Sequence, residues 1–155
     1  MDFQRIFVDG HSVIFAWPEL SDLHRNAPQR AREELLALLT RFQDATHIPL
    51  TLVFDGGKRA KPSTDPPGSG ELELVYSAPG ETADAVIERR VGARERGIRV
   101  LVVTNDRIEQ LTVESFGAET MSADNFADWM EREARQFGRR VTEIHKLARN
   151  FRKFP

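Results

Sequence analysis

Three largely apolar runs, each leading to an aspartate, constrain the fold of this chain more than any other feature. The runs are residues 6–8 before Asp9-Gly10, residues 50–54 before Asp55-Gly56, and residues 98–103 before Thr104-Asn105-Asp106. An apolar run without alternation is typical of a strand buried on both faces of a parallel sheet. Ligands of such a sheet bind beyond the carboxyl ends of its strands. We therefore expect the three aspartates to share one acidic site.

Helical and strand-like patterns alternate along the rest of the chain. Strands are predicted at 4–9, 50–55, 72–76, 98–103 and, at a sheet edge, 118–121; helices are predicted at 31–45, 82–95, 107–116 and 122–138. Residues 11–26 are interpreted as loop-like, and the glycine- and proline-rich segment 56–71 as a long loop. This alternation predicts an α/β fold, a three-layer α/β/α arrangement with a mainly parallel sheet and right-handed crossovers.

Composition restricts the class of protein. The chain has 155 residues, 40% of them hydrophobic and 30% charged, which suits one globular domain with a real core. It has no cysteine, so disulfides and thiolate metal sites are excluded. No run approaches the roughly 18 apolar residues of a membrane span, and no secretory pattern opens the chain. We expect a cytoplasmic protein with no membrane partner.

Positive charge is concentrated at the end of the chain. Residues 139–155 carry six basic side chains against Glu143 alone, or +5, so the total of −2 leaves −7 for residues 1–138. We divide the chain accordingly into a domain at 1–138 and a basic C-terminal helix or tail at 139–155. The tail either binds phosphates or forms a solvated helix face.

Carboxylates dominate the candidate chemistry. Asp9, Asp55 and Asp106 end strands, while Glu81 and Asp84 lie at the start of the helix before the central strand. Carboxylates that close together repel one another, and either protonation or a divalent cation relieves the repulsion. Hard oxygen ligands suit Mg²⁺ or Mn²⁺. The sequence therefore predicts a site for one of these ions.

Each of these residues also has an ordinary structural interpretation. Asp-Gly pairs form turns, Asp106 can be an N-cap, and Asp84 suits the dipole of a helix N-terminus. Phe15 and Trp17 are candidates for stacking on a nucleic-acid base, but core packing is the favoured interpretation of both.

Five segments resemble the YacP-like branch of the NYN domains, which are PIN-like metal-dependent ribonucleases. They are FVDGHSVI at 7–14, VFDG at 53–56, GETADAVIER at 80–89, VVTNDRIEQ at 102–110 and FGAETMSADNF at 116–126. The resemblance implies a PIN-like sheet. It also implies an acidic metal site with four aspartates as catalytic residues and ligands and one glutamate close by: Asp9, Asp55, Asp84, Asp106 and Glu81. The implied substrate is RNA, including RNA on the ribosome.

One departure from the family pattern concerns the substrate side of the site. Where the family usually has Asp-Gly-Tyr-Asn after the first strand, this chain has Asp9-Gly10-His11-Ser12. Ser12 can still donate a hydrogen bond to a phosphate or a water, but it lacks the reach of an amide. The candidate RNA-binding residues are Ser12, Lys58, Arg59, Lys61, Asn105 and Arg107.

The sequence thus predicts an endoribonuclease that cleaves single-stranded RNA with a water activated by Mg²⁺ or Mn²⁺. The alternative is a catalytically inactive RNA- or ribosome-binding module of the same fold. A phosphoacceptor receiver domain is disfavoured, because only one helix is predicted between Asp9 and Asp55 and no lysine follows the next strand.

Overall fold

Five parallel strands form the centre of the structure, a computed structural model that describes residues 2–56 and 72–152. The strands are β1 (Arg5–Asp9), β2 (Leu50–Phe54), β3 (Leu72–Tyr76), β4 (Val100–Val103) and β5 (Glu119–Met121). They lie in the order β3-β2-β1-β4-β5, and each neighbouring pair is parallel. The apolar runs β1, β2 and β4 occupy the three central positions, as expected for strands covered on both faces.

Helices cover both faces of this sheet. They are α1 (Gly10–Ala16), α2 (Pro18–Asn26), α3 (Pro28–Thr46), α4 (Ala83–Gly92), α5 (Arg107–Ser115) and α6 (Ala123–Arg152). Core residues of α1, α2, α3 and α6 pack with Ile6 and Val8 on one face, and those of α4 and α5 pack with Phe7 and Val102 on the other. The predicted three-layer α/β/α class with a parallel sheet is confirmed.

The order of the strands creates a crevice at one edge of the sheet. The chain moves outward from β1 through β2 to β3, then crosses to the other side of β1 to form β4 and β5. Ligands of open α/β sheets bind at such a reversal, beyond the carboxyl ends of the two central strands. Asp9 ends β1 there, and Thr104 follows β4 on the neighbouring strand.

The loop predicted at 11–26 is wrong, because this segment forms α1 and α2. Asp9 caps α1 by accepting a hydrogen bond from the Ser12 N–H, and Pro18 begins α2 at a position where its missing N–H costs nothing. The first helix is too short for its apolar periodicity to be recognised. Three helices therefore connect β1 to β2, where the sequence predicted one.

The other elements lie close to their predicted positions. The strand at 72–76 and the Thr82 cap are confirmed, but α4 ends at Gly92 instead of residue 95. The helix predicted to end at 138 continues to Arg152 without a break in its backbone. The division of the chain at residue 138 stays a prediction. Within the described residues, no helix is both long and apolar enough to cross a membrane.

Candidate metal centre

Three carboxylates converge at the crevice between β1 and β4. They belong to Asp9 at the end of β1, Asp84 in the first turn of α4 and Glu109 in the first turn of α5. One oxygen of each lies within 4.8 Å of the others, and the structure shows this grouping among the residues it describes. Three different elements thus deliver carboxylates to one point at the carboxyl edge of the sheet.

Asp9 is buried, with 7% of its surface exposed. Its pKa is raised to about 6, chiefly by desolvation and further by the Asp84 charge, whereas the Glu109 carboxyl group and the Ser12 N–H lower it. The Asp9 carboxylate is therefore held where its charged form lacks the hydration that it has in water.

Glu109 is the most deeply buried carboxyl group of the three, at 1% exposure. Burial, and then the neighbouring Asp9 charge, raise its pKa to about 10. Its Oε2 accepts a hydrogen bond of 2.8 Å from the Thr104 hydroxyl, but its Oε1 is buried with no hydrogen-bond partner in the described structure. At neutral pH the metal-free pair of Asp9 and Glu109 therefore retains a proton.

Thr104 and Ser12 join the ends of β1 and β4 around this pair. Thr104 is fully buried, and its Oγ1 accepts a 3.1 Å hydrogen bond from the Asp106 N–H while donating to Glu109. The Ser12 Oγ lies 3.5 Å from it and accepts a 2.7 Å hydrogen bond from the Asn105 N–H. These contacts fix the loop after β4 against the start of α1.

Asp55 lies at the same edge of the sheet but is exposed. Its Oδ1 accepts a 2.7 Å hydrogen bond from the Ala83 N–H, at the start of α4. Its Oδ2 lies 3.9 Å from the His11 Nδ1. Asp55 thus holds the helical turn that carries Asp84.

Asp106 and Glu81 also have partners outside the group of three. The exposed Asp106 is the N-cap of α5, and its Oδ1 accepts hydrogen bonds from the N–H groups of Ile108 (2.9 Å) and Glu109 (3.1 Å). Glu81 forms an ion pair of 3.0 Å with Arg89. Of the predicted ligands, the structure brings together Asp9 and Asp84. The ligand roles of Asp55, Asp106 and Glu81 stay predictions.

The predicted RNA-binding residues are placed differently from one another. Ser12 lies beside the three carboxylates. The Asn105 side chain is engaged elsewhere, because its Oδ1 accepts a 2.8 Å hydrogen bond from the Ala123 N–H at the start of α6. The Arg107 guanidinium is exposed and lies 3.4 Å from the Gln110 Oε1. Lys58, Arg59 and Lys61 lie outside the described residues, as do the side chains of the basic tail.

Glu109 is the site residue that the sequence reasoning missed. It follows Asp106 by three positions, the spacing of a capping box, in which a glutamate at the third helical position supports the helix start. The spacing alone therefore indicated an N-terminus, and the burial of Glu109 depends on the packing of α5 against α4 and β5.

The donor set fits a hard divalent cation. Each converging group offers a carboxylate oxygen, and the buried Glu109 Oε1 has no hydrogen-bond partner in the described structure to satisfy it. Oxygen donors of this kind suit Mg²⁺ and Mn²⁺. A cation here would also offset the repulsion and desolvation that raise the pKa values of Asp9 and Glu109.

The fold and the site together define a parallel α/β protein with an acidic centre at the topological reversal of its sheet. The chain belongs to the YacP-like NYN domain family, whose model matches residues 6–153. The resemblance stated from the sequence is thereby confirmed.

Two kinds of relative support this membership. The uncharacterized protein YacP of Bacillus subtilis (strain 168) is 31% identical over 140 residues, which cover 90% of this chain and 82% of that protein. The crystal structure of Rae1 (YacP) from Bacillus subtilis is similar with a TM-score of 0.77 and 29% identity, covering 97% of this chain and 85% of that one. A mutant of Rae1 gives the same TM-score at 28% identity, covering 93% and 85%.

Proposed function

We propose that this protein is an endoribonuclease that hydrolyses single-stranded RNA with Mg²⁺ or Mn²⁺ at the Asp9–Asp84–Glu109 centre. The observation that carries the proposal is the convergence of three carboxylates, one of them with a buried unpartnered oxygen, at the crevice of the sheet. Membership of the NYN family, whose domains are typically nucleases, supports the same chemistry.

Asp9, Asp84 and Glu109 are the residues that would hold the ion. Bound there, the ion would act as a Lewis acid on the phosphoryl group and would lower the pKa of a water molecule, two effects that assist phosphodiester hydrolysis. The Thr104 hydroxyl orients Glu109, and the Asp55 and Asp106 carboxylates hold the first turns of α4 and α5 in place. The ligands are thus positioned before the substrate binds, which avoids reorganisation during the reaction.

Phosphate contacts on the substrate side are assigned to Ser12 and to basic residues that follow β2 in the sequence. The Ser12 hydroxyl lies 3.5 Å from the Thr104 hydroxyl, which donates a hydrogen bond to Glu109, so Ser12 is the candidate donor to a phosphate oxygen at the centre. Lys58, Arg59 and Lys61 follow Asp55 in the chain by only a few positions, so their charges are expected to increase affinity for the RNA backbone. RNA held on the ribosome stays a predicted form of the substrate.

Single-turnover cleavage of a labelled single-stranded RNA in Mn²⁺ tests the proposal. Asp9→Asn and Asp84→Asn each retain the size of the side chain but remove one negative charge, and each should slow cleavage at least ~100-fold, the scale of positioned electrostatic groups. Asp44→Asn is the matched control, because Asp44 is exposed near the end of α3, before β2 begins and so away from the carboxyl edge.

RNA affinity, measured in parallel, separates an enzyme from an inactive binding module. Affinity of both variants should hold or rise, because a phosphate then meets a less negative centre. Cleavage by the double variant at the rate of the unmodified protein would contradict the proposal. Tight RNA binding without cleavage by any form would favour the inactive module.

A further inference from the structure

An aromatic cluster lies on the surface beside the acidic centre. It consists of His11 and Phe15 on α1 and His24 on α2. The rings of His11 and Phe15 are stacked, with centroids 5.8 Å apart and planes at 22°. The His24 ring stands edge-on to both, 5.0 Å from Phe15 and 6.0 Å from His11.

The core does not account for this cluster. Phe15 is 59% exposed, although its neighbours Val13 and Ile14 on α1 are completely buried. Trp17 differs from it: Trp17 packs against the core, and its indole N–H donates a 2.9 Å hydrogen bond to the Ala123 carbonyl. Of the two aromatic residues considered for base stacking, core packing therefore describes Trp17 and does not describe Phe15.

Several contacts connect the cluster to the acidic centre. His11 is two residues from Asp9, and its ring lies edge-on to Phe54 at 5.2 Å. Gly10 allows the close approach of this segment to β2, because a Cβ at Gly10 would meet the Phe54 ring at 2.2 Å. His11 also lies 3.9 Å from Asp55, which holds the start of α4. A ligand on the Phe15 ring would therefore lie at a defined distance from the carboxylates.

The electrostatic surroundings suit a base followed by a phosphate. The stacked rings of His11 and Phe15 offer an aromatic face. The Arg32 guanidinium, whose positive charge acts on His11, lies at the border of the cluster.

We propose that Phe15, with His11 stacked behind it and His24 at its edge, is a stacking platform for one unpaired base of an RNA strand that reaches the acidic centre. Aromatic side chains are the usual stacking partners of splayed single-stranded bases, and stacking tolerates any base because each has a π-face. The proposal rests on the proposed function, since it places the base of a strand whose phosphodiester lies at Asp9, Asp84 and Glu109.

Binding of a short fluorescein-labelled single-stranded RNA, followed by anisotropy in EDTA so that no cleavage occurs, tests the platform. Phe15→Ala should weaken binding about tenfold, within the range measured for loss of one stacked base. Phe15→Trp should restore it, because indole stacks as well as phenyl. Phe116→Ala is the matched control, since Phe116 is 46% exposed and follows the C-terminal end of α5, away from the carboxyl edge of the sheet.

A set of probes with one abasic ribose at successive positions adds a readout that a merely structural role would not change. The probe that lacks the base stacked on Phe15 should bind the unmodified protein about tenfold more weakly than the intact RNA does. Phe15→Ala should not weaken the binding of that probe any further. Circular dichroism of Phe15→Ala checks that its fold is retained.

Two outcomes would overturn the inference, and they can be distinguished. If the unmodified protein binds and cleaves RNA while Phe15→Ala binds all probes equally well, the platform is wrong and the proposed function stands. If the unmodified protein neither binds nor cleaves RNA, the proposed function fails and the platform fails with it.

Discussion

Four of the carboxylates at the carboxyl edge of the sheet form a buried pair and an exposed pair. Asp9 and Glu109 are almost inaccessible, and their pKa values are raised. Asp55 and Asp106 lie at the same edge, but both are exposed and accept hydrogen bonds from the N–H groups of a following helix. Position at a strand end therefore does not decide the role of a carboxylate.

The groups that face each carboxylate decide its role. N–H groups at a helix start stabilise a negative charge and leave it in contact with water. Asp9 and Glu109 face one another with little hydration, so their charged forms are costly until a proton or a cation neutralises them. In this account the buried pair, with Asp84, holds the ion, and the exposed pair positions the helices that deliver Asp84 and Glu109.

The largest predicted difference between the two pairs is in cleavage rate. Glu109→Gln retains the hydrogen bond to Thr104 but removes a ligand charge, and it should slow single-turnover RNA cleavage at least ~100-fold. Asp106→Asn should have a much smaller effect, because asparagine caps a helix as well as aspartate does. Equal losses in the two variants would show that Asp106 is itself a ligand and would remove the distinction between the pairs.

The second prediction concerns pH and the free energy of unfolding without metal. The raised pKa values mean that the folded protein holds more protons than the unfolded chain between about pH 4 and the folded pKa values. Acidification from pH 7.5 to 5.5 should therefore stabilise the fold, by about 1.4 kcal/mol per pH unit for each extra proton.

Urea unfolding in EDTA at the two pH values measures this effect. Because Glu109→Gln removes the carboxyl group with the pKa near 10, its free energy of unfolding should depend less on pH than that of the unmodified protein. Groups that do not interact with Glu109, including the partly buried His11 with its lowered pKa, contribute equally to both and cancel in the difference. The same pH dependence in both proteins would contradict the buried proton.

A smaller effect is predicted for the exposed pair. Asp106→Ala removes the N-cap of α5 and should lower the free energy of unfolding by about 1 kcal/mol. Asp106→Asn retains the cap and should leave the free energy of unfolding nearly unchanged. Glu81→Gln, which breaks an ion pair with the exposed Arg89, should change stability by less than about 0.5 kcal/mol. Thermal unfolding of the three variants orders them, and a loss for Asp106→Asn equal to that for Asp106→Ala would contradict the capping role.

Much of the fold followed from the sequence because buried strands and amphipathic helices have different periodicities. The run at 100–103 and the strand at 72–76 were placed well, since apolar patterning determines which residues the sheet covers. The segment 11–26 was not, because α1 is one short helix held by the Asp9 cap and by packing of Val13 and Ile14. Tertiary contacts, which a local pattern does not contain, stabilise it.

The candidate site was predicted in part for a related reason. Strand ends indicated Asp9, and the helix start after Gly80 indicated Asp84, so both could be recognised by position along the chain. Glu109 lies beyond a strand end, inside a helix, and its burial arises only when α5 packs against α4 and β5. The direction in which Asp55 and Asp106 turn likewise depends on neighbouring helix N–H groups.

The most direct measurement is calorimetric titration of Mn²⁺ into the unmodified protein, Glu109→Gln and the control Asp44→Asn at neutral pH. The unmodified protein and the control should bind Mn²⁺ with equal affinity and release a proton, because the ion replaces the proton held by Asp9 and Glu109. Repeating the titration in buffers of different ionisation enthalpy counts that proton. Glu109→Gln should bind Mn²⁺ at least about tenfold more weakly and should release fewer protons for each ion bound. Equal Mn²⁺ affinity and equal proton release in all three proteins would contradict a metal centre built on the buried pair.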